Sequence, residues 1–267
     1  PDVATIGVGE GTWPSMRDTL NKIGVSESDF IRECSASFKQ GSKFVGWSTG
    51  KDGEFYYHPF SLPQGYLNAN LVPYWQTEQA DISFASAFST QEALCQLGKA
   101  PKQPTTPDFA AVANYGYHLD AGKFASFLQK HSTDKLGVKH VLDHVTGVTS
   151  TEHGDIESLA TRTHGDLHAD LFIDCTGAGS LLLGRHFGVP FISQQHVLFN
   201  DRAIAMQVPY SPGKDTISSA TIATAQDAGW IWDIGLPSRR GVGYVYSSGD
   251  ETDERAEETL RHYVQSD

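Results

Sequence analysis

An apolar, β-branched run from Val3 to Val8 passes directly into Gly7-Val8-Gly9-Glu10-Gly11-Thr12, and a stretch with Met16, Leu20 and Ile23 at helical spacing follows. Strand, glycine turn and helix in that order constrain the chain to a mixed α/β fold, because the helix must bury its apolar stripe against the sheet it leaves. Pro14 suits a first helical turn and Gly24 the residue just past the last one, so this helix is bounded at both ends. A second short helix starts at Ser26, with Asp29 three residues on as a capping-box-like acid. Further on, Phe124, Phe127 and Leu128 give Asp120 to His131 an amphipathic helical spacing, and a short helix is read around Gln91 to Gly98. Pro101, Pro104 and Pro107 mark an extended loop.

The aromatic runs Ala36 to Trp47 and Glu54 to Phe60 flank the turn Thr49-Gly50-Lys51-Asp52-Gly53, which predicts a β-hairpin with Lys39 and Lys43 on one face. Val138 to Val141 reads as a strand, and Val145 to Thr149 with Ile156 to Thr163 as a further hairpin. Leu167 to Asp174 reads as a strand that turns, at the carboxyl end of a parallel sheet, into Cys175-Thr176-Gly177-Ala178-Gly179.

The 32 acidic residues outnumber the 20 basic ones among 267, a formal charge of −12, and no Lys/Arg block interrupts them. Such a surface repels nucleic acid and anionic membranes, so neither is expected as a partner. No apolar stretch approaches the roughly 20 residues of a membrane span. Cys34, Cys95 and Cys175 are widely spaced without a C-x-x-C pair, which points away from disulfides and zinc and toward a reducing cytoplasm. The 11 histidines form no H-E-x-x-H or other ligand spacing, so no metal is expected. The opening Pro1-Asp2-Val3-Ala4 has no signal-peptide character, and without an initiator Met it reads as the start of an internal piece.

Each feature with chemical potential has an ordinary counterpart. The glycine turns at Gly7/Gly9/Gly11 and at Gly177/Gly179 are either tight structural turns or bare backbone against a dinucleotide. Lys39, within Phe38-Lys39-Gln40-Gly41, is either an edge-strand lysine or an amine held partly out of water. His58 and Phe60 belong to a packed hairpin or to an aromatic pocket. Trp230 and Trp232, two residues apart, put two large rings on one face of a strand.

Taken together and in order, these segments resemble the flavin-dependent halogenases, FAD enzymes that install chlorine or bromine on electron-rich arenes such as tryptophan and indole. Gly9-Glu10-Gly11-Thr12-Trp13-Pro14 is similar to the family's G-E-[AG]-T-x-P segment, and Ser37-Phe38-Lys39 through Trp47 to the block with its catalytic lysine. Tyr57-His58-Pro59-Phe60, Val72-Pro73-Tyr74-Trp75 and Tyr117-His118-Leu119-Asp120-Ala121 follow in place. Asp170 to Gly177 resembles the second FAD motif of the wider monooxygenase superfamily, and Gly229-Trp230-Ile231-Trp232-Asp233-Ile234 the W-x-W-x-I-P signature, with Gly235 where that signature has proline.

The resemblance implies an FAD/NAD(P)-binding, flavin-monooxygenase-like fold with a β-sheet substrate region, of which residues 1–267 form the central part of a single module. The opening G-x-G-x-x-G strand would precede Pro1, and the halide-binding segment with its active-site glutamate would follow Asp267. It implies Lys39 as the catalytic residue, and Gly9, Glu10, Thr12, Pro14, Val145, Thr176 and Gly177 as FAD contacts. His58 and Phe60 are implied for the substrate pocket, and Trp230 and Trp232 as shielding tryptophans. Reduced FAD from a separate flavin reductase, O₂ and a halide ion would give hypohalous acid, by way of a flavin hydroperoxide, and the acid would reach Lys39 beside a small aromatic substrate. Homodimerisation stays open. A flavin-dependent aromatic monooxygenase would share Asp174 to Gly177 but need neither Lys39 nor the paired tryptophans; a non-catalytic nucleotide-binding module is the other alternative.

Overall fold

In chain order the elements are β1 (Glu10–Gly11), α1 (Ser15–Lys22), α2 (Glu27–Glu33), β2 (Ser37–Lys39), β3 (Gly41–Val45), β4 (Phe55–Pro59), α3 (Val72–Glu78), α4 (Phe84–Phe88), α5 (Gln91–Gln96), β5 (Gly116–Leu119) and α6 (Ala121–Lys135). Then come β6 (Val145–Ser150), β7 (Ile156–Thr161), β8 (Asp166–His168), β9 (Arg202–Pro209), β10 (Thr221–Gln226), β11 (Gly229–Gly235), β12 (Arg239–Tyr246) and α7 (Asp253–Gln265). The computed structural model describes residues 7–78, 81–211 and 216–265. They form two units, one of Thr5–Leu136 with Phe199–Asp267, the other built on Gly137–Leu198.

Local chemistry sets the helix ends. Pro14 precedes α1 with φ −55°, and past its end Gly24, at φ +73°, donates to the Asn21 carbonyl while Val25 donates to that of Leu20. That left-handed position is strained for any residue with a Cβ, and glycine relieves it. The Ser26 hydroxyl accepts the Asp29 amide at 3.3 Å at the start of α2, and the Asp120 carboxylate accepts the Lys123 amide at 3.0 Å at the start of α6.

Two sheets make the first unit. The smaller has the order β1-β5-β2 and is antiparallel throughout. Leu20 and Phe30 are buried against its Tyr117 and Leu119, with Met16, Phe124 and Phe127 packed from the helices. The larger sheet has the order β4-β3-β10-β11-β12-β9 and is antiparallel except for the β3–β10 pair. On it α7 lays Ala256 and Leu260 against Ile231, Val242, Tyr244 and Tyr246. Alternation along β11 then sends Trp230 and Trp232 to the opposite face.

The strand predicted over Ala36 to Trp47 is two strands in two sheets. Lys39 pairs with Gly116 in the smaller sheet, and Gly41 pairs with Pro59 in the larger. Between them the Gln40 amide donates to the Ser219 carbonyl at 2.6 Å, and the Gln40 carbonyl accepts the Phe60 amide at 2.9 Å. At Gly41 a Cβ would overlap the His58 carbonyl, so only glycine admits the crossover. Lys39 and Lys43 therefore have different surroundings, Lys43 Nζ lying 4.4 Å from the Phe55 ring centre.

In the second unit the hairpin expected at Val145 forms as β6 and β7, β7 ending at Thr161, with β8 antiparallel beside it. Two expectations fail here. Val138 to Val141 has no regular structure, and the strand expected over Leu167 to Asp174 ends at His168. Beyond that point no neighbouring strand pairs with the chain among the described residues, and Leu171 and Ile173 are 76% and 78% exposed. Apolar alternation makes a strand only where a partner takes up the backbone hydrogen bonds. The strand read over Val3 to Val8 falls mostly outside the described residues; Gly7 and Val8 carry no strand.

Candidate active site

Lys39 stands at the end of β2, at the seam between the two sheets. Its Nζ lies 5.8 Å from the Trp13 ring centre and 5.6 Å from that of Phe60, and the two rings are 5.5 Å apart. Gly11 provides the space. A Cβ on Gly11 would stand 2.9 Å from Lys39 Nζ and 3.4 Å from Thr221 Oγ1, so the bare residue lets both polar atoms approach one point. Burial holds the Lys39 amine below the usual lysine range, since the charged form loses solvation there.

His118 sits in β5 opposite Gly11 on one side and Ser37 on the other. It is fully buried, and its Nε2 lies 2.8 Å from Thr221 Oγ1, at the start of β10. Burial, with the Lys39 charge beside it, lowers its pKa to about 3 against the pull of the Gly235 carbonyl, so the imidazole is neutral near pH 7. A second tie between the sheets is made by Ser37 Oγ, which donates to the Gly235 carbonyl at 2.5 Å.

The residues implied as FAD contacts divide between the two units. Gly9, Glu10, Thr12 and Pro14 line the turn before α1. Gly9 is buried at φ +136° against Ile234 and Leu236, and the Thr12 hydroxyl accepts the Tyr117 amide at 2.9 Å, which fastens the turn to β5. Glu10 Oε2 is buried without a hydrogen-bond partner. Burial and the Asp120 charge raise its pKa, opposed by the Ala121 and Val8 amides and by Arg239. In the other unit Val145 opens β6, and Thr176 and Gly177 are exposed. Asp174 accepts hydrogen bonds from the Thr176 amide and hydroxyl and from the amides of Leu182 and Leu183, which fixes the loop. Gly177, at φ +63°, and Gly179 have nothing within 4 Å of where a side chain would project. Within its own unit, the Gly177–Gly179 loop presents bare backbone of the kind that suits a nucleotide phosphate.

His58 and Phe60 do not share one pocket wall. His58 lines a cavity of about 650 Å³ with Tyr56, Trp75, Phe84 and Phe88, whereas Phe60 packs at Lys39. Trp230 and Trp232 are half-buried neighbours, their ring centres 6.3 Å apart, with Trp47 6.4 Å from Trp230. A Cβ at Gly243 would overlap the Trp232 ring, so that ring lies flat on the strand beside it. Among the described residues no His, Cys, Asp and Glu side chains cluster to hold a metal ion, and no helix is long and apolar enough to cross a membrane.

Sequence reasoning did not single out Thr221, and it treated His118 only as a helix entrance. No local sequence feature marks Thr221; Trp13, in the matched Gly9-to-Pro14 segment, is 65% exposed although it is a large apolar group.

Residues 1–267 match the tryptophan halogenase family model. The chain is 36% identical, over 98% of its length, to the 7-chloro-L-tryptophan 6-halogenase KtzR of Kutzneria sp. (strain 744), covering 54% of that protein. The crystal structure of a tryptophan halogenase from Shewanella frigidimarina NCIMB 400 superposes with a TM-score of 0.95 at 56% identity, over 100% of this chain and 51% of that one. BrvH, a flavin-dependent halogenase from Brevundimonas sp. BAL3, gives 0.83 at 30% identity, over 95% and 52%. The chain thus spans about half the length of these relatives, with the mixed α/β architecture of the flavin-dependent halogenases.

Proposed function

Because the chain belongs to the tryptophan halogenase family, we propose that it takes part in flavin- and O₂-dependent halogenation of an electron-rich arene, an indole ring in the first instance, with Lys39 as the residue that meets the oxidant. The observation that carries this reading is the Lys39 amine beside the rings of Trp13 and Phe60, against bare Gly11.

FAD, held by Gly9, Glu10, Thr12, Pro14, Val145, Thr176 and Gly177 and reduced by a separate reductase, would supply the oxidation of chloride or bromide to hypohalous acid. The Lys39 ammonium donates a hydrogen bond to the oxygen of that acid and makes its halogen more electrophilic. Trp13 and Phe60 keep water from the amine and offer flat faces to an arene. His58 and its cavity extend the aromatic surface away from Lys39. Trp230, Trp232 and Trp47 form a wall on the larger sheet that keeps cofactor and arene apart, which favours halogenation over direct oxygen transfer. A cytoplasmic setting, where Cys34, Cys95 and Cys175 stay free, goes with this reading.

The test uses the full-length protein with FAD, a flavin reductase, NADH and O₂, offering indole with bromide or chloride and reading product by mass spectrometry. A halogenated indole that disappears in Lys39→Met, with flavin oxidation retained, supports the proposal. Hydroxylated arene instead would assign the monooxygenase chemistry.

A further inference from the structure

We infer that the cavity beside β4 is a second ligand site, separate from Lys39, and that it takes an anionic arene whose fused rings lie among Trp75, Phe84 and Phe88 and whose carboxylate meets Lys43.

The cavity measures about 650 Å³, room for a two-ring arene, and no Asp, Glu, Lys or Arg is among the residues that line it. Its rings are already fixed. The Trp75 indole N–H donates to the Ile82 carbonyl at 2.8 Å, Phe84 stands perpendicular to Trp75 with 5.7 Å between ring centres, and Phe88 follows 5.0 Å from Phe84.

The charge comes from β3. Lys43 Nζ lies 4.4 Å from the Phe55 ring centre and 6.0 Å from that of Tyr57, and both of these rings line the cavity. Among the described residues Lys43 forms no ion pair. Tyr57 adds a neutral donor, because burial pushes its hydroxyl up to about 12. The carboxylate that acts on Tyr57 is that of Glu92, and it is already engaged by the Ser83 hydroxyl and by the Gln96 amide at 2.9 Å. Aromatic walls with an unpaired cation and a phenol on one side suit a flat apolar ligand that carries a single negative charge. A neutral arene leaves Lys43 unused, and a zwitterion brings a cation that the lining cannot pair.

Strand pairing sets this site apart from Lys39. Tyr57 pairs with Lys43, so the two share one face of the larger sheet. His58 pairs with Ser42, and Ser42 with Thr221, whose hydroxyl stands with Lys39 Nζ beside Gly11. Successive residues of a strand point to opposite faces, so Lys43 and Thr221 lie on opposite sides of the sheet. Tyr56 and His58 also line the cavity because β4 is the edge of that sheet.

The test is equilibrium dialysis of naphthoate, and of its uncharged isostere naphthamide, against the full-length, FAD-loaded protein. One equivalent of naphthoate should bind, about tenfold tighter than the amide, the order of one hydrogen bond to a charged group. Lys43→Met should bring the two to one affinity, whereas Lys43→Arg should keep the preference. Ala85→Trp, which fills the cavity from α4, should abolish binding of both, and its melting curve shows whether it folds. Lys39→Met should bind naphthoate as the parent does. Equal affinities in the parent, or an undiminished preference in Lys43→Met, would overturn the inference. Loss of naphthoate in Lys39→Met would overturn it as well, by placing the ligand at Lys39. None of these readings requires turnover, so their failure and that of the proposed function are separate.

Discussion

His118 and Thr221 meet at 2.8 Å although they belong to different sheets, one in the middle strand of the three-stranded sheet and the other at the start of β10. The contact ties a fully buried imidazole to the point where Lys39 leaves the smaller sheet. Such an arrangement has a measurable acid signature.

The His118 pKa falls from 6.5 unfolded to about 3 folded. Between these values the unfolded chain binds the extra proton, so stability is full above about pH 6.5 and is lost as pH falls toward 3, by about 5 kcal/mol in all at ~1.4 kcal/mol per pKa unit. Urea unfolding of His118→Gln at pH 4, 5, 6 and 7 should show a flatter dependence than the parent. Glu27, whose pKa is also lowered on folding, acts in the same direction but is present in both proteins, so the difference isolates His118.

Glu27 is a buried carboxylate with four donors: Lys102 at 2.6 Å, the hydroxyls of Tyr115 at 2.5 Å and Tyr117 at 2.6 Å, and the Phe109 amide at 2.7 Å. Burial pushes its pKa up, but these donors outweigh burial and hold it below the usual carboxylate value. Lys102→Met leaves the charge buried without its counter-ion and should destabilise the protein by about 3 kcal/mol, seen as a lower urea midpoint with an unchanged slope.

Gly243 and Gly229 separate a movable neighbour from a fixed one. A Cβ at Gly243 meets the Trp232 ring, whereas one at Gly229 meets the Val245 carbonyl in the adjacent strand. Gly243→Ala should fold, lose about 1–3 kcal/mol and shift tryptophan fluorescence as the ring is displaced. Gly229→Ala should lose more, because the β11–β12 ladder must open, and the comparison is read in paired urea melts.

Halogenation that uses the Lys39 ammonium should fall as pH rises through a pKa that burial places below 10.5. The profile of product formation should bend on its alkaline side below that value. Lys39→Arg stays charged over the whole range, and whatever activity it retains should lack the bend.

Short-range chemistry was legible in the sequence. Pro14 and Gly24 bound α1, Ser26 and Asp120 cap their helices, and the hairpin at Val145 closes through residues close in the chain, so the evidence for each lay within a few positions. Long-range partners were not legible. The break at Gln40 depends on Ser219, and whether Leu171 and Ile173 form a strand depends on a partner, which no strand among the described residues provides. The candidate site divides the same way. Lys39 stood out among aromatics, but Thr221 carries no local mark, and the residue that fixes it lies 103 positions away.

The tie from Ser37 to Gly235 uses only the carbonyl of residue 235, an atom that glycine and proline share. The position where this chain leaves the W-x-W-x-I-P signature is thus interchangeable for that tie, which asks nothing of the side chain. A side chain at residue 235 would still have to clear Ser218 and Tyr210, whose backbone amide and hydroxyl stand 3.1 Å from where its Cβ would project, so the tie is indifferent to the change although the packing around it is not.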